Sequence, residues 1–163
     1  MKRIILLNGA SSSGKSTLAV AIKESLKLKC NLEYEIISID DFLRMTSNDV
    51  IYEDDVYDIS PMLCQRAREL LQMKEGIIVD HVITSERIYR MLRESLQDYD
   101  FLSVHVICPI QILREREKQR GNRCMGSAEA SLQYLYPKGG YEVTVDTYKM
   151  STSDCVSNII QML

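Results

Sequence analysis

Short apolar runs alternate along the chain with longer segments in which apolar residues recur at helical spacing. Uninterrupted apolar runs are what strands buried on both faces of a sheet require, and the helical spacing is that of elements covering those faces. The runs predict strands over Arg3 to Asn8, Glu35 to Ile39, Gly76 to Asp80, Leu102 to Cys108 and Tyr141 to Asp146. Helices are predicted over Lys15 to Leu28, Pro61 to Lys74, within Ser85 to Asp98, over Ile110 to Arg120 and over Ser153 to Leu163, the second opening on a Ser60-Pro61 cap. Strand then helix, repeated, predicts an α/β fold: a five-stranded parallel sheet, doubly wound with helices on both faces. Arg44 to Ser60 follows no clear period and is expected to form a loop or short helix near a ligand.

A length of 163 residues fits one domain spanning 1–163. A net charge of -3 gives no general pull toward nucleic acid or an anionic membrane, so an anionic ligand must be held by local cations. The five cysteines are odd in number and never spaced Cys-x-x-Cys, which argues against a disulfide framework or zinc site and for a reducing, cytoplasmic setting. Ile4 to Leu7 is too short for a signal or membrane segment and reads as a buried strand.

Composition leaves the chemistry open, and the segment after the first strand narrows it. Gly9-Ala10-Ser11-Ser12-Ser13-Gly14-Lys15-Ser16 matches G-x-x-x-x-G-K-[ST], with an apolar strand before it and an apolar-periodic helix after it, and these residues with Thr17 are assigned to nucleotide binding. Glycines let the backbone wrap a phosphate with its N–H groups turned inward, and the helix N-terminus adds positive potential. Lys15 would neutralise the β- and γ-phosphates, and Ser16 would offer a hydroxyl to Mg2+. The chain lacks an Asn-Lys-x-Asp base-reading motif, which disfavours a guanine-nucleotide switch.

In open α/β sheets the ligand lies beyond the carboxyl ends of the strands, and two predicted strands end there in acids: Asp40-Asp41 and Asp80-His81. Transfer of a phosphoryl group to a hydroxyl needs a carboxylate to orient that hydroxyl and take its proton. Asp40 is assigned as that base and Asp80 as the acid toward Mg2+, with Asp41 able to share either duty and His81 a candidate substrate contact. Helix capping is the alternative for the acidic pair, and a structural role is the alternative for His81. His105, inside a strand, is expected in the core. Arg116, Arg120 and Arg123 fall on one helix face if the helix continues, with Gly121 placed to end it and free Arg123. That face reads either as a phosphate-covering arginine lid or as a solvated surface laced with Glu115 and Glu117 pairs.

Taken together, Ile5 to Ser16, Ser38 to Leu43, Ile77 to Val82, Arg116 to Gly126 and Tyr141 to Asp146 resemble the chloramphenicol phosphotransferase-like family of P-loop kinases, in family order over nearly the whole chain. The resemblance implies an adenylate-kinase-like fold, ATP with Mg2+, Asp40 as base, an arginine-bearing lid, and a Thr147 to Ser151 loop lying against adenine. It also implies an antibiotic-like or metabolite acceptor bearing a hydroxyl. The chain departs from the family pattern at Asn122, Leu135-Tyr136 and Glu142, and Arg44 to Ser60 carries Asp49, Glu53, Asp54, Asp55 and Asp58 with Tyr52 and Tyr57. Those acids read as a solvated loop or as preference for a polar or cationic acceptor. Competing functions are a toxin-like sugar-nucleotide kinase, a nucleoside or nucleotide kinase, and a non-catalytic ATP-binding regulator.

Overall fold

The computed structural model describes residues 2–43, 51–121 and 123–163. Five strands, β1 (Arg3–Gly9), β2 (Tyr34–Ser38), β3 (Gly76–His81), β4 (Asp100–Ile107) and β5 (Val143–Asp146), form one sheet in the order β2-β3-β1-β4-β5 with every neighbouring pair parallel. The helices are α1 (Lys15–Cys30), α2 (Ile39–Leu43), α3 (Glu53–Met73), α4 (Glu86–Ser95), α5 (Ile110–Arg120), α6 (Ser127–Tyr134) and α7 (Thr152–Ile160). The predicted doubly wound parallel sheet is therefore the observed one.

Successive side chains of a strand point to opposite faces, so each apolar run feeds two cores. Ile4, Leu6, Ile77 and Val79 pack against Leu63, Ala67 and Leu71 of α3 and Ile88 and Leu92 of α4. Ile5, Leu7, Ile78 and Val104 pack against Leu18, Ile22 and Leu26 of α1 and Val156 and Ile159 of α7. At the end of β1 the apolar run stops at Asn8, which is fully buried. Its amide donates to Tyr136 O at 2.8 Å and Tyr141 Oη at 2.9 Å and accepts from Ile83 N–H at 2.9 Å, so both ends of this buried side chain are paired.

Four expectations need correction. The second predicted helix starts at Glu53 and not at Pro61, which lies inside α3. Glu53, Asp54 and Asp55 occupy the first turn, where the helix dipole favours acids, and Asp55 accepts Tyr52 N–H at 2.9 Å. The helix runs on through Pro61 because Val56, Leu63, Cys64 and Ala67 are buried, while Ser60 Oγ donates back to Val56 O at 2.6 Å instead of capping a start. Ile39 belongs to α2 and not to β2, which turns the Asp40-Asp41 pair into the first turn of a short helix. The last strand begins at Val143, because the Glu142 carboxylate is drawn to Ser103, accepting its backbone N–H at 2.7 Å and its hydroxyl. Helix α6 was not anticipated at all. Within the expected 44–60 loop, residues 44–50, Asp49 among them, lie outside the described residues, as does Asn122. His105 is half-buried in β4, stacked on Tyr141 with ring centroids 4.5 Å apart.

Candidate active site

Strand β1 sits in the middle of the sheet, so the loop leaving it opens at the centre of the carboxyl edge. Gly9 is fixed there by crowding: a Cβ would lie 2.4 Å from Val106 O of β4. Ser12 and Gly14 take positive φ values of 68° and 92°, which curls the loop back before α1 begins at Lys15. Ser13 N–H donates to Ala10 O at 3.2 Å and closes the turn. Ser12 Oγ is buried with no hydrogen-bond partner, a donor turned into the loop. Gly9, Ala10 and Ser13 shape this curl, while Ser11, Ser12, Gly14, Lys15, Ser16 and Thr17 line the cleft above it.

Lys15 is 6% exposed, and its ammonium donates to Ala10 O at 2.8 Å and to Ser13 Oγ at 3.4 Å. Burial pulls its pKa from 10.5 to about 8, against the opposing pull of the Asp80 and Asp40 charges. Ser16 Oγ donates to Asp80 Oδ2 at 2.7 Å. A hydroxyl and a carboxylate side by side are the sparse protein contribution that Mg2+ takes when phosphate oxygens and water supply the rest of its shell. The described residues hold no cluster of three or more His, Cys, Asp or Glu that would form an all-protein cage, and the Ser16–Asp80 pair fits the sparser arrangement.

The cleft encloses about 1260 Å³, above the range of ordinary single-ligand pockets. Asp40 and Asp80 both line it, from the α2 and β3 side. Arg116, Arg120 and Arg123 line it from the other side. Arg116 rests against the phosphate loop, 3.5 Å from Ser12 O and 3.3 Å from Thr147 Oγ1. Gly121 ends α5 in the left-handed conformation, φ 64°, and Arg123 beyond it pairs with the Asp40 carboxylate. Asp41 and His81 do not reach the cleft. Asp41 is exposed on the outer side of α2. His81 is 1% exposed, its Nδ1 has no partner, and burial lowers its pKa to about 4, so it is an enclosed neutral imidazole outside the cleft lining.

Two contacts escaped the sequence. Thr147, the first residue after β5, donates from Oγ1 to Ser13 O at 2.6 Å and so ties the last loop to the phosphate loop. Ser131 of α6 accepts Ser11 N–H at 3.0 Å. No pattern of types or spacing announces either, because each pairs a lone hydroxyl with a backbone group more than a hundred residues away. Two acids of the 44–60 region, Glu53 and Asp54, are paired locally: Arg87 Nε donates to Glu53 Oε1 at 2.7 Å, and Arg87 also pairs with Asp54. Among the described residues, no helix is long and apolar enough to cross a membrane.

The curated adenylyl-sulfate kinase of Clostridium acetobutylicum is 29% identical over 98% of this chain and 82% of its own length. Among solved structures, an APS kinase of Mycobacterium tuberculosis in complex with AMPPNP and APS superposes with a TM-score of 0.79 at 19% identity, covering 99% of this chain and 96% of that one. A gluconokinase of Sinorhizobium meliloti superposes at 0.72 with 23% identity, over 98% of this chain and 90% of that one. These likenesses agree with the sheet order and phosphate loop in giving an α/β P-loop kinase fold. The model of the family described as chloramphenicol phosphotransferase-like protein matches residues 2–163, and with Lys15, Asp40 and Asp80 gathered on one cleft, this chain is a P-loop kinase that belongs to that family.

Proposed function

We propose that the chain transfers the γ-phosphate of ATP to a hydroxyl of a small acceptor with an uncharged body, with Asp40 as the general base. The observation that carries this reading is the position of Asp40, which lines the same cleft as the phosphate loop from the α2 side. That side is lined by Leu43, Ile51, Val56 and Val82, with the exposed rings of Tyr52 and Tyr134 at its rim. Among the described residues, the cations that line the cleft are Lys15, Arg116, Arg120 and Arg123, which the nucleotide's phosphates would claim. Apolar walls beneath two tyrosines support an acceptor with an apolar or aromatic body more than a phosphosulfate. The capture of Glu53 and Asp54 by Arg87 removes the reason to expect a cationic one.

In this reading the loop amides and Lys15 hold the β- and γ-phosphates, with Lys15 leaving Ala10 O for phosphate oxygen. Mg2+ beside Ser16 and Asp80 would draw charge from the phosphate oxygens. The acceptor hydroxyl gives its proton to Asp40 as its oxygen bonds to Pγ, the bond from Pγ to the bridging oxygen breaks, and ADP leaves. Arg123 must first quit Asp40, and the γ-phosphate is the anion to draw it away. Arg116 and Arg120 would bear on the charge spreading over the transferring group.

The test is transfer of labelled phosphate from ATP to a panel of neutral aromatic alcohols, sugar acids, nucleosides, sugar nucleotides and adenylyl sulfate. Asp40→Asn should keep ATP binding and lose at least ~100-fold in turnover. Unchanged turnover removes Asp40 from the chemistry. Adenylyl sulfate as the best acceptor would overturn the uncharged-body reading in favour of the activity of the Clostridium relative. Tight ATP binding with transfer to no member of the panel would favour a regulator.

A further inference from the structure

Glu117 has no role in the chemistry just described, yet it is the most deeply buried carboxylate among the described residues, 1% exposed near the end of a helix whose other buried residue is Leu113. No cation pairs with it. Its two oxygens instead accept backbone N–H groups from the start of α6: Oε2 from Gly126 at 3.0 Å and Oε1 from Ala128 at 2.8 Å. A buried carboxylate without a counter-ion is costly, and what offsets the cost here is a pair of charge-assisted hydrogen bonds at a helix N-terminus.

The chain between the two ends of this clamp holds Arg120 and Arg123. Apart from Arg123, which is half-buried against Asp40, its described residues are exposed, so no packing of its own fixes it. Gly121 N–H returns to Glu117 O at 3.3 Å, and Ser127 N–H to Cys124 O at 3.1 Å, which are local turns and not anchors. Past the clamp, α6 reaches the phosphate loop through Ser131 Oγ, which accepts Ser11 N–H at 3.0 Å and donates to Ala128 O at 2.9 Å. Glu117 thus closes the base of the arginine-bearing loop and joins it, through Ala128 and Ser131, to the loop that would hold the phosphates.

We propose that Glu117 is a positioning residue: its carboxylate sets the reach of Arg120 and Arg123 to the γ-phosphate, an inference that rests on the ATP reading of the cleft. A carboxylate is required because both partners donate. Glutamine turns its own N–H2 toward one of them and leaves that amide unpaired.

The probes are AMPPNP and ADP, each with magnesium, titrated into the full chain. Glu117→Gln should weaken AMPPNP about tenfold while leaving ADP within about twofold, because ADP offers the arginines no γ-phosphate. In an Arg120→Ala/Arg123→Ala background the same substitution should cost AMPPNP nothing further. Equal losses for both nucleotides, or an undiminished loss without the arginines, would mean that Glu117 merely supports the fold and would overturn the proposal. Hydrogen exchange on the unaltered protein reads the clamp without any variant. Gly126 and Ala128 amides should exchange at least tenfold more slowly than those of Arg123, Cys124 and Met125, which lie between the two helices, and equal rates would dismiss the clamp. If the unaltered chain binds neither nucleotide, the ATP reading falls and the positioning role with it, while the exchange data still decide whether the clamp exists.

Discussion

Lys15 gives the prediction most tightly bound to the structure. It lies almost wholly out of water with a carbonyl and a hydroxyl as its hydrogen-bond partners, and burial outweighs the nearby Asp80 and Asp40 charges to lower its pKa from 10.5 to about 8. At ~1.4 kcal/mol per pH unit that depression corresponds to about 3 kcal/mol by which the folded state disfavours the ammonium. The sign follows from proton counts. Between pH 8 and 10.5 the unfolded chain holds a proton that the folded chain has shed, so stability rises with pH across that window, and below pH 8 the full penalty applies. Lys15→Met keeps the length of the side chain and drops the charge. After allowing about 1 kcal/mol for the lost bond to Ala10 O, it should stabilise the nucleotide-free protein by roughly 2 kcal/mol at pH 7. Urea titrations at pH 7 and pH 10 are the assay: the gain should be present at pH 7 and shrink toward zero or below at pH 10, while ATP binding is lost throughout. A Lys15→Met variant less stable than the parent at pH 7 would refute the reasoning, because it would mean that the contacts of the ammonium outweigh its desolvation.

His81 should govern acid stability: with its folded pKa near 4, its contribution is intact above pH 6.5 and drains away as pH falls toward 4, by about 3 kcal/mol in all. Urea midpoints of His81→Gln should accordingly show a flatter pH profile than the parent between 6.5 and 4. Gly9→Ala would force a methyl group against Val106 O and should cost at least ~2 kcal/mol in thermal or urea unfolding, with weakened nucleotide binding. Asp80→Asn should weaken the magnesium dependence of nucleotide binding more than nucleotide binding in its absence, measured with and without chelator. It also removes the largest charge that supports protonated Lys15, so ATP affinity should fall off at lower pH in the variant.

The strands were legible because a parallel sheet buries both faces, and Ile4 to Leu7 or Ile77 to Val79 have no polar residue to spare. The phosphate loop was legible because its glycines and Lys15 are dictated by geometry at each position. Helix α3 was misjudged at its start because Pro61 is a better start signal than Glu53 when only local preferences are read, and burial of Val56 and Leu63 is a tertiary fact. Helix α6 was missed because Ser127 to Tyr134 is short, and it is held by tertiary contacts, the Glu117 carboxylate at its head and Ala128 packed with Leu113. Glu117 itself reads as one more charge in a solvated run, and nothing in Arg114 to Lys118 distinguishes the buried acid from Glu115. Asp41 and His81 were drawn toward the site by their neighbours Asp40 and Asp80. Adjacent residues in a strand or short helix point different ways, and each pair could send only one member into the cleft.

The placement of β1 at the middle of the sheet divides the cleft between two sets of elements. β4, β5 and the loops that follow them meet the phosphate loop on one flank through Val106, Arg116 and Thr147, while β2, β3, α2 and the start of α3 furnish the other. Such a molecule is modular in the way a tool with interchangeable heads is modular. On the proposed reading, substitutions at Leu43, Ile51, Val56 or Val82 would redraw the acceptor wall while the phosphate-handling flank stays as it is, so a change of substrate would need no change of chemistry.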